Sequence, residues 1–126
     1  MPVKQQKFSL KHDTYRAARG GYARFLNVYC GHCQTHVLLY QKDGPGTLFR
    51  LYLDRIFAPE SLANLQEITD ISKVPDLRCP SCKVVIGTPY IWEEEFRKAY
   101  LLKQGSFIKK ISTGTYPPPS GFILKP

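Results

Sequence analysis

The stretch Cys30-Gly31-His32-Cys33-Gln34-Thr35-His36-Val37-Leu38-Leu39-Tyr40-Gln41-Lys42 decides how this chain is read. A Cys-x-x-Cys pair that opens a helix is a redox dithiol, because the helix N-terminus lowers the first thiol's pKa. Here the residues after Cys33 are β-branched and apolar, and they stop at Asp43-Gly44-Pro45-Gly46. That is a strand and a turn, so the pair reads as half of a metal site. The other half is Cys79-Pro80-Ser81-Cys82; 45 residues separate the pairs, which hold all four cysteines of the 126-residue chain. Two such pairs complete the tetrahedral four-thiolate shell of structural zinc. One Zn2+ is expected on Cys30, Cys33, Cys79 and Cys82, with His32 and His36 outside a shell that four sulfurs already fill. Two disulfides are the competing reading. They need an oxidising compartment, and the start Met1-Pro2-Val3-Lys4-Gln5-Gln6-Lys7 lacks the apolar run of a secretory signal. The expected location is intracellular, cytoplasmic or in an organellar matrix, not secreted.

The hydrophobic content is 43%, and no apolar run approaches the length of a membrane-spanning helix, so one soluble domain with no membrane partner is expected. The net charge of +8 is spread unevenly. Residues 1–24 carry Lys4, Lys7, Lys11, Arg16, Arg19 and Arg24 against Asp13, giving +5, and residues 97–126 carry +6 with no acid, leaving −3 in the middle. This partition divides the chain into a basic N-terminal arm (1–24), a zinc-binding β domain (25–112) and a Pro-rich C-terminal tail (113–126). The arm reads as extended chain with one helical turn around Thr14 to Arg19. Its arginines, interleaved with tyrosines, suit an anionic and stackable partner; a solvated tail that keeps the protein soluble is the equal alternative.

Within the body, Phe25 to Tyr29 reads as a strand into the first cysteine pair. His36 to Lys42 is expected to form a hairpin with Thr47 to Phe57 across the Asp43 to Gly46 turn, with Phe49, Leu51, Leu53 and Phe57 on the core face. Asp54-Arg55 inside that run reads as a structural ion pair. Pro59 followed by Leu62, Leu65 and Ile68 predicts one short helix. Lys83 to Gly87 is a strand, Trp92 to Lys103 reads as strand rather than helix, and Gly105 as the turn of a last hairpin. The prolines 117–119 predict extended, polyproline-like chain. The fold class is therefore a mostly β, small zinc-bound antiparallel domain, β-tent or zinc-ribbon-like, with one short helix and extended basic termini.

From Cys30 to about Ile111 the pattern resembles the zinc-binding β-tent proteins: yippee-like proteins, the thalidomide-binding domain of cereblon and the methionine-R-sulfoxide reductases. The matching letters are Cys30-x-x-Cys33, Cys79-x-x-Cys82-x-x-x-Ile86-Gly87 and Tyr100-x-Leu102-x-x-Gly105-x-Phe107. The resemblance implies two antiparallel sheets pinned at one end by zinc. It does not carry an activity over. There is no fifth cysteine to serve as the reductase nucleophile, and Trp92 is the single tryptophan where the cereblon pocket has several.

The function expected from the residues is a non-enzymatic zinc module whose basic ends bind RNA or a ribonucleoprotein such as the ribosome, through Lys4, Lys7, Lys11, Arg16, Arg19, Arg24, Lys109 and Lys110. A protein partner bound in the β cleft is the plainer alternative. A small enzyme or ligand sensor is the other, with His32, His36, Tyr52, Asp54, Trp92 and Glu93 to Glu95 as its candidates. No two of these stand at a catalytic spacing.

Overall fold

Phe25 to Cys30 and Val37 to Tyr40 are apolar at nearly every position, which a strand tolerates only when both its faces are covered. A computed structural model, which describes residues 5–118, shows how this is done. In chain order its elements are β1 (Gln6–Lys7), α1 (Thr14–Ala18), β2 (Ala23–Cys30), β3 (His36–Asp43), β4 (Arg50–Tyr52), β5 (Ile56–Ala58), α2 (Glu60–Ala63), β6 (Leu77–Arg78), β7 (Val85–Trp92), β8 (Arg97–Leu102), β9 (Phe107–Ser112) and β10 (Thr115–Tyr116). Short 3-10 turns lie at Leu53–Arg55, Asn64–Glu67 and Ile71–Lys73.

Two four-stranded antiparallel sheets result, one ordered β5-β3-β2-β9 and the other β4-β8-β7-β6, with β1 and β10 paired separately. Their facing sides form one core. Leu26, Val28, Leu38 and Tyr40 of the first sheet meet Leu51, Leu77, Ile86, Tyr100 and Leu102 of the second, all nearly inaccessible to water. Tyr40 and Tyr100 can be this deep because their hydroxyls are bonded, Tyr40 accepting from the Tyr52 N–H (2.9 Å) and Tyr100 donating to the Pro75 carbonyl (2.7 Å).

The expected strands exist, but two of their pairings differ. β3 pairs with β2 and β5, and the Asp43 to Phe49 segment crosses to the other sheet, where β4 pairs with β8. Gly105 likewise links strands of different sheets, β8 and β9, and β9 pairs with β2. In each case the turn residues are compatible with a hairpin, and the apolar faces decide otherwise, because each sheet can bury its face only against the other. Phe49 is correspondingly not core; it is 53% exposed.

The largest departure concerns residues 5–24, which are not a detached arm. Phe8 and Leu10 pack on the outer face of the first sheet with Phe25, Leu39 and Phe57. The Lys11 N–H donates to Gln41 Oε1 (2.7 Å), and Gln41 Nε2 donates back to the Lys11 carbonyl (3.0 Å). Asp13 caps α1 by accepting from the Arg16 N–H (3.1 Å), and the same carboxylate takes both terminal nitrogens of Arg55 (2.6 and 2.9 Å). Arg55 Nε donates to Asp43 (2.7 Å), so a guanidinium only 1% exposed is held by two carboxylates. Asp54 and Arg55 are thus both ion-paired, but not to each other: Asp54 takes Arg97 (2.8 Å). Farther on, Tyr15 stacks on Arg97 and Arg19 binds Glu95, both on the second sheet's side. The segment is a strap from one sheet to the other. Lys4 and the tail beyond residue 118 lie outside the described residues.

Arg55 has nowhere to go if a partner is lost. Asp43→Ala should cost about 3–5 kcal/mol in urea unfolding. Deleting residues 1–24 should lower the thermal midpoint well beyond a few degrees, since it strips Asp13 and uncovers Phe25 and Phe57. Acid sensitivity should show two steps. Burial pushes His36 down to about 4, so stability falls as pH drops from its unfolded value near 6.5 toward 4. The Arg55 hydrogen bond holds Asp13 far below the carboxylate range, so a further loss begins below its unfolded value near 3.9. Urea midpoints against pH for His36→Gln and Asp13→Asn should each lack one step.

Candidate metal centre

Both cysteine pairs sit in the turn of a two-stranded unit, the first between β2 and β3 and the second between β6 and β7. The two turns are built alike. Cys30 N–H bonds the Thr35 carbonyl (2.8 Å) and Gln34 N–H bonds the Cys30 carbonyl (2.9 Å); Cys79 and Val84, Lys83 and Cys79 repeat the pattern at 3.0 and 3.1 Å. In each turn the residue after the second cysteine is left-handed, Gln34 at φ 64° and Lys83 at φ 68°. In each, two backbone N–H groups point at the first sulfur: His32 and Cys33 at Cys30 Sγ (3.3 and 3.5 Å), Ser81 and Cys82 at Cys79 Sγ (3.4 and 3.5 Å). Donors arranged this way stabilise a thiolate.

The sheets bring the turns together. All four sulfurs lie within 4.8 Å of one another, with Cys30 to Cys82 at 3.7 Å and Cys33 to Cys79 at 3.4 Å. Four sulfurs at about 2.3 Å from one ion would stand about 3.8 Å apart, so the cluster fits a tetrahedral thiolate site. The electrostatics agree. A Thr35 hydroxyl bond draws Cys33 down to about 6. The Val84 N–H favours a thiolate at Cys82, but lost hydration and the three neighbouring sulfurs prevail and push it up to about 12. One thiolate forms readily and makes the next harder, a conflict that a divalent cation removes. His32 is exposed, and His36 Nε2 lies 2.9 Å from Asn27 Oδ1, so neither belongs to the cluster. Of the basic neighbours, Lys83 Nζ donates to the Pro80 carbonyl (2.9 Å) and Arg78 to the Lys83 carbonyl (3.1 Å), which lays positive charge over the second turn.

The position after the first cysteine admits only glycine. A Cβ on Gly31 would stand 2.9 Å from the Ser106 backbone, and its N–H bonds the Ser106 carbonyl (2.8 Å), so β9 is laid directly across this turn. The equivalent Pro80 is exposed and carries no such crossing.

Away from the sulfurs, the remaining site residues separate. Lys7, Lys109 and Lys110 are exposed. Lys11, Arg16 and Arg19 are engaged: Lys11 Nζ with the Asp54 carbonyl (2.5 Å), Arg16 with the Gly21 carbonyl (2.7 Å), Arg19 with Glu95 (2.6 Å). Tyr52, Asp54 and Glu95 converge on Arg97, whose guanidinium lies 3.7 Å from the Tyr52 ring centre and 3.8 Å from that of Tyr15. Trp92 lies under Arg50, with 3.8 Å from guanidinium to ring centre, and Glu93 and Glu94 are exposed in the turn that follows. Of the arginine and tyrosine layer formed by Arg50, Tyr52, Tyr90 and Arg97, only Tyr52 is among the candidates named from the sequence; the layer's signal is that these residues share one parity on β4, β7 and β8, opposite to Leu51 and Tyr100.

No family model, curated protein or solved structure matches the chain.

Metal analysis should return one equivalent, abolished by Cys79→Ser and unchanged by His36→Ala. Gly31→Ala should weaken metal retention against a chelator, whereas Pro80→Ala should leave it near wild type; equal behaviour of the two would refute the packing of β9 on the first turn.

Proposed function

We propose that the chain is a non-enzymatic binding module in which one zinc ion on Cys30, Cys33, Cys79 and Cys82 closes a β-tent-like pair of sheets, and that its partner is RNA, free or in a ribonucleoprotein. Zinc is favoured by the all-sulfur donor set and the tetrahedral spacing. The tent arrangement is supported by two antiparallel sheets that each supply one cysteine turn.

The observation that carries the RNA reading is a convergence. Basic residues from both parts of the chain act on one lysine near the end of β3: Arg19 and Arg24 from the N-terminal segment and Lys109 of β9, which stands opposite Val28 in mid-strand. Arg24 of β2 stands directly opposite Lys42 of β3. Lys42, half buried, has its pKa lowered first by lost hydration and then by Arg24, Arg19 and Lys109. Like charges facing each other across strands destabilise a sheet, so their assembly here favours a polyanionic partner. Exposed Tyr22 under Arg24, and Phe49 close by, add rings on which bases can stack.

Binding of a single-stranded RNA should weaken steeply with salt. Lys109→Glu with Lys110→Glu should lower the slope of log affinity against log salt by about 1.4, the value for two lost phosphate contacts, with metal content unchanged. Affinity indifferent to salt would refute the reading.

A further inference from the structure

Where β3 ends, the crossover segment between the sheets borders a cavity of about 80 Å³, whose polar and charged lining residues include Arg19, Lys42, Asp43, Thr47, Arg50 and Tyr52, with Phe49 among its apolar ones. That volume corresponds to roughly two or three waters, the size range of a small oxyanion. The segment that leads into its wall lies close against α1 for a reason found in the sequence. Gly44 has φ +74°, and a Cβ there would stand 2.9 Å from Arg19 Cβ, so the segment lies against the end of α1 as only glycine permits. The Gly44 N–H bonds the Tyr22 carbonyl (2.6 Å), fixing the segment to the strap.

Lys42 follows Leu38 and Tyr40 on the inward-facing parity of β3, a position where a cation is costly without an anion. Among the described residues its ammonium has only backbone carbonyls, Asp43 at 3.1 Å and Gly44 at 3.5 Å. Arg50 has, among the described residues, only neutral partners, the hydroxyls of Tyr90 (2.8 Å) and Tyr52 (3.5 Å) and the face of Trp92. The acids nearby are already taken: Asp43 by Arg55 and Gln41, Glu95 by Arg19 and Arg97. Among the described residues, then, two cations without a carboxylate border one small cavity, with the Tyr52 hydroxyl and the Arg19 guanidinium beside them (3.1 Å apart).

We infer that this cavity is a specific site for one phosphate group, held between Lys42 and Arg50, with the exposed ring of Phe49 at its rim to receive the base or other flat group that the phosphate carries. A planar guanidinium and a point-charge ammonium approaching from different strands suit a tetrahedral dianion. The two sources of that group are free phosphate and the terminal phosphate of an RNA strand; the site stands on the cavity alone and does not require the RNA reading.

Trp92 is the single tryptophan and lies against Arg50, so its fluorescence reports occupancy directly. Inorganic phosphate should change that signal saturably and raise the thermal midpoint, where chloride at equal ionic strength does neither. Lys42→Met should weaken phosphate binding about tenfold or more, the loss of one charge-assisted contact, while raising the midpoint of the ligand-free protein. Opposite signs on binding and stability mark a cation kept for a ligand rather than for the fold. Arg50→Gln, with metal content as the folding check, should weaken binding similarly. Identical responses to phosphate and chloride, or wild-type phosphate affinity in Lys42→Met, would overturn the site. A 5′-phosphorylated oligoribonucleotide that displaces inorganic phosphate better than its 5′-hydroxyl twin identifies the strand end as the source. Equal behaviour of the two, with inorganic phosphate still bound, identifies a free phosphate or small phosphate ester. Phosphate binding that persists where RNA binding fails removes the RNA reading and leaves this site standing.

Discussion

Four sulfur atoms within 4.8 Å of one another are the constraint on which the two sheets depend. As thiols they contribute little, and as thiolates they repel. Bound to one divalent cation they become the strongest single link in the molecule, since apparent binding free energies of such sites, about 10–16 kcal/mol, match or exceed the whole stability of an ordinary domain. The link also has direction. Each turn aims two backbone N–H groups at its inner, buried sulfur, Cys30 or Cys79, and leaves Cys33 and Cys82 toward solvent. The sheets are thus registered at that end by backbone geometry as well as by the sulfurs themselves.

The opposite end is closed by a different chemistry. There the first sheet and the second are joined by residues 5–24 through Asp13, Tyr15 and Arg19, which reach Arg55, Arg97 and Glu95. Among the described residues the two buried cations of this region, Arg55 and Arg97, are both arginines, consistent with a guanidinium's ability to meet two carboxylates and two rings at once. The same packing leaves Lys42 and Arg50 without acids. Structural cations and uncommitted cations therefore stand side by side, and what separates them is whether a carboxylate is within reach.

Much of this was legible in the sequence. The cysteine spacing, the strand after Cys33 and the turn residues gave the strand-rich fold and the sulfur cluster, because metal-ligand spacing and period-2 patterns are local signals. The partners of β4 and β9 were not legible. Asp43 to Gly46 and Gly105 look the same whether the chain folds back on itself or crosses to another sheet, and only the joint burial of both faces decides. The strap was missed for a related reason. Residues 5–24 have no apolar period, and their anchorage rests on single residues, Phe8, Asp13, Tyr15 and Arg19, with partners far along the chain; Asp13 and Arg55 are 42 apart, and Arg19 and Glu95 are 76 apart. Lys42 could have been found: it shares the parity of Leu38 and Tyr40, and a cation at an inward position is a signal that a pattern of apolar residues alone does not register.

The placing of β2 in the middle of its sheet sets a timetable for synthesis. β3 follows β2 closely, so that pairing can form early, but the other edge of β2 waits for β9, about 80 residues later in the chain. Cys30 and Cys33 likewise wait for Cys82, which at ordinary rates of about 5–20 residues per second leaves an unfilled dithiol for roughly 2 to 10 seconds. Over that interval the nascent chain presents an open strand edge and half a ligand set together. The arrangement of strands that makes the finished molecule two-sided and closed is the one that keeps its first half incomplete longest, and the chain depends on its last fifty residues to protect what its first forty have built.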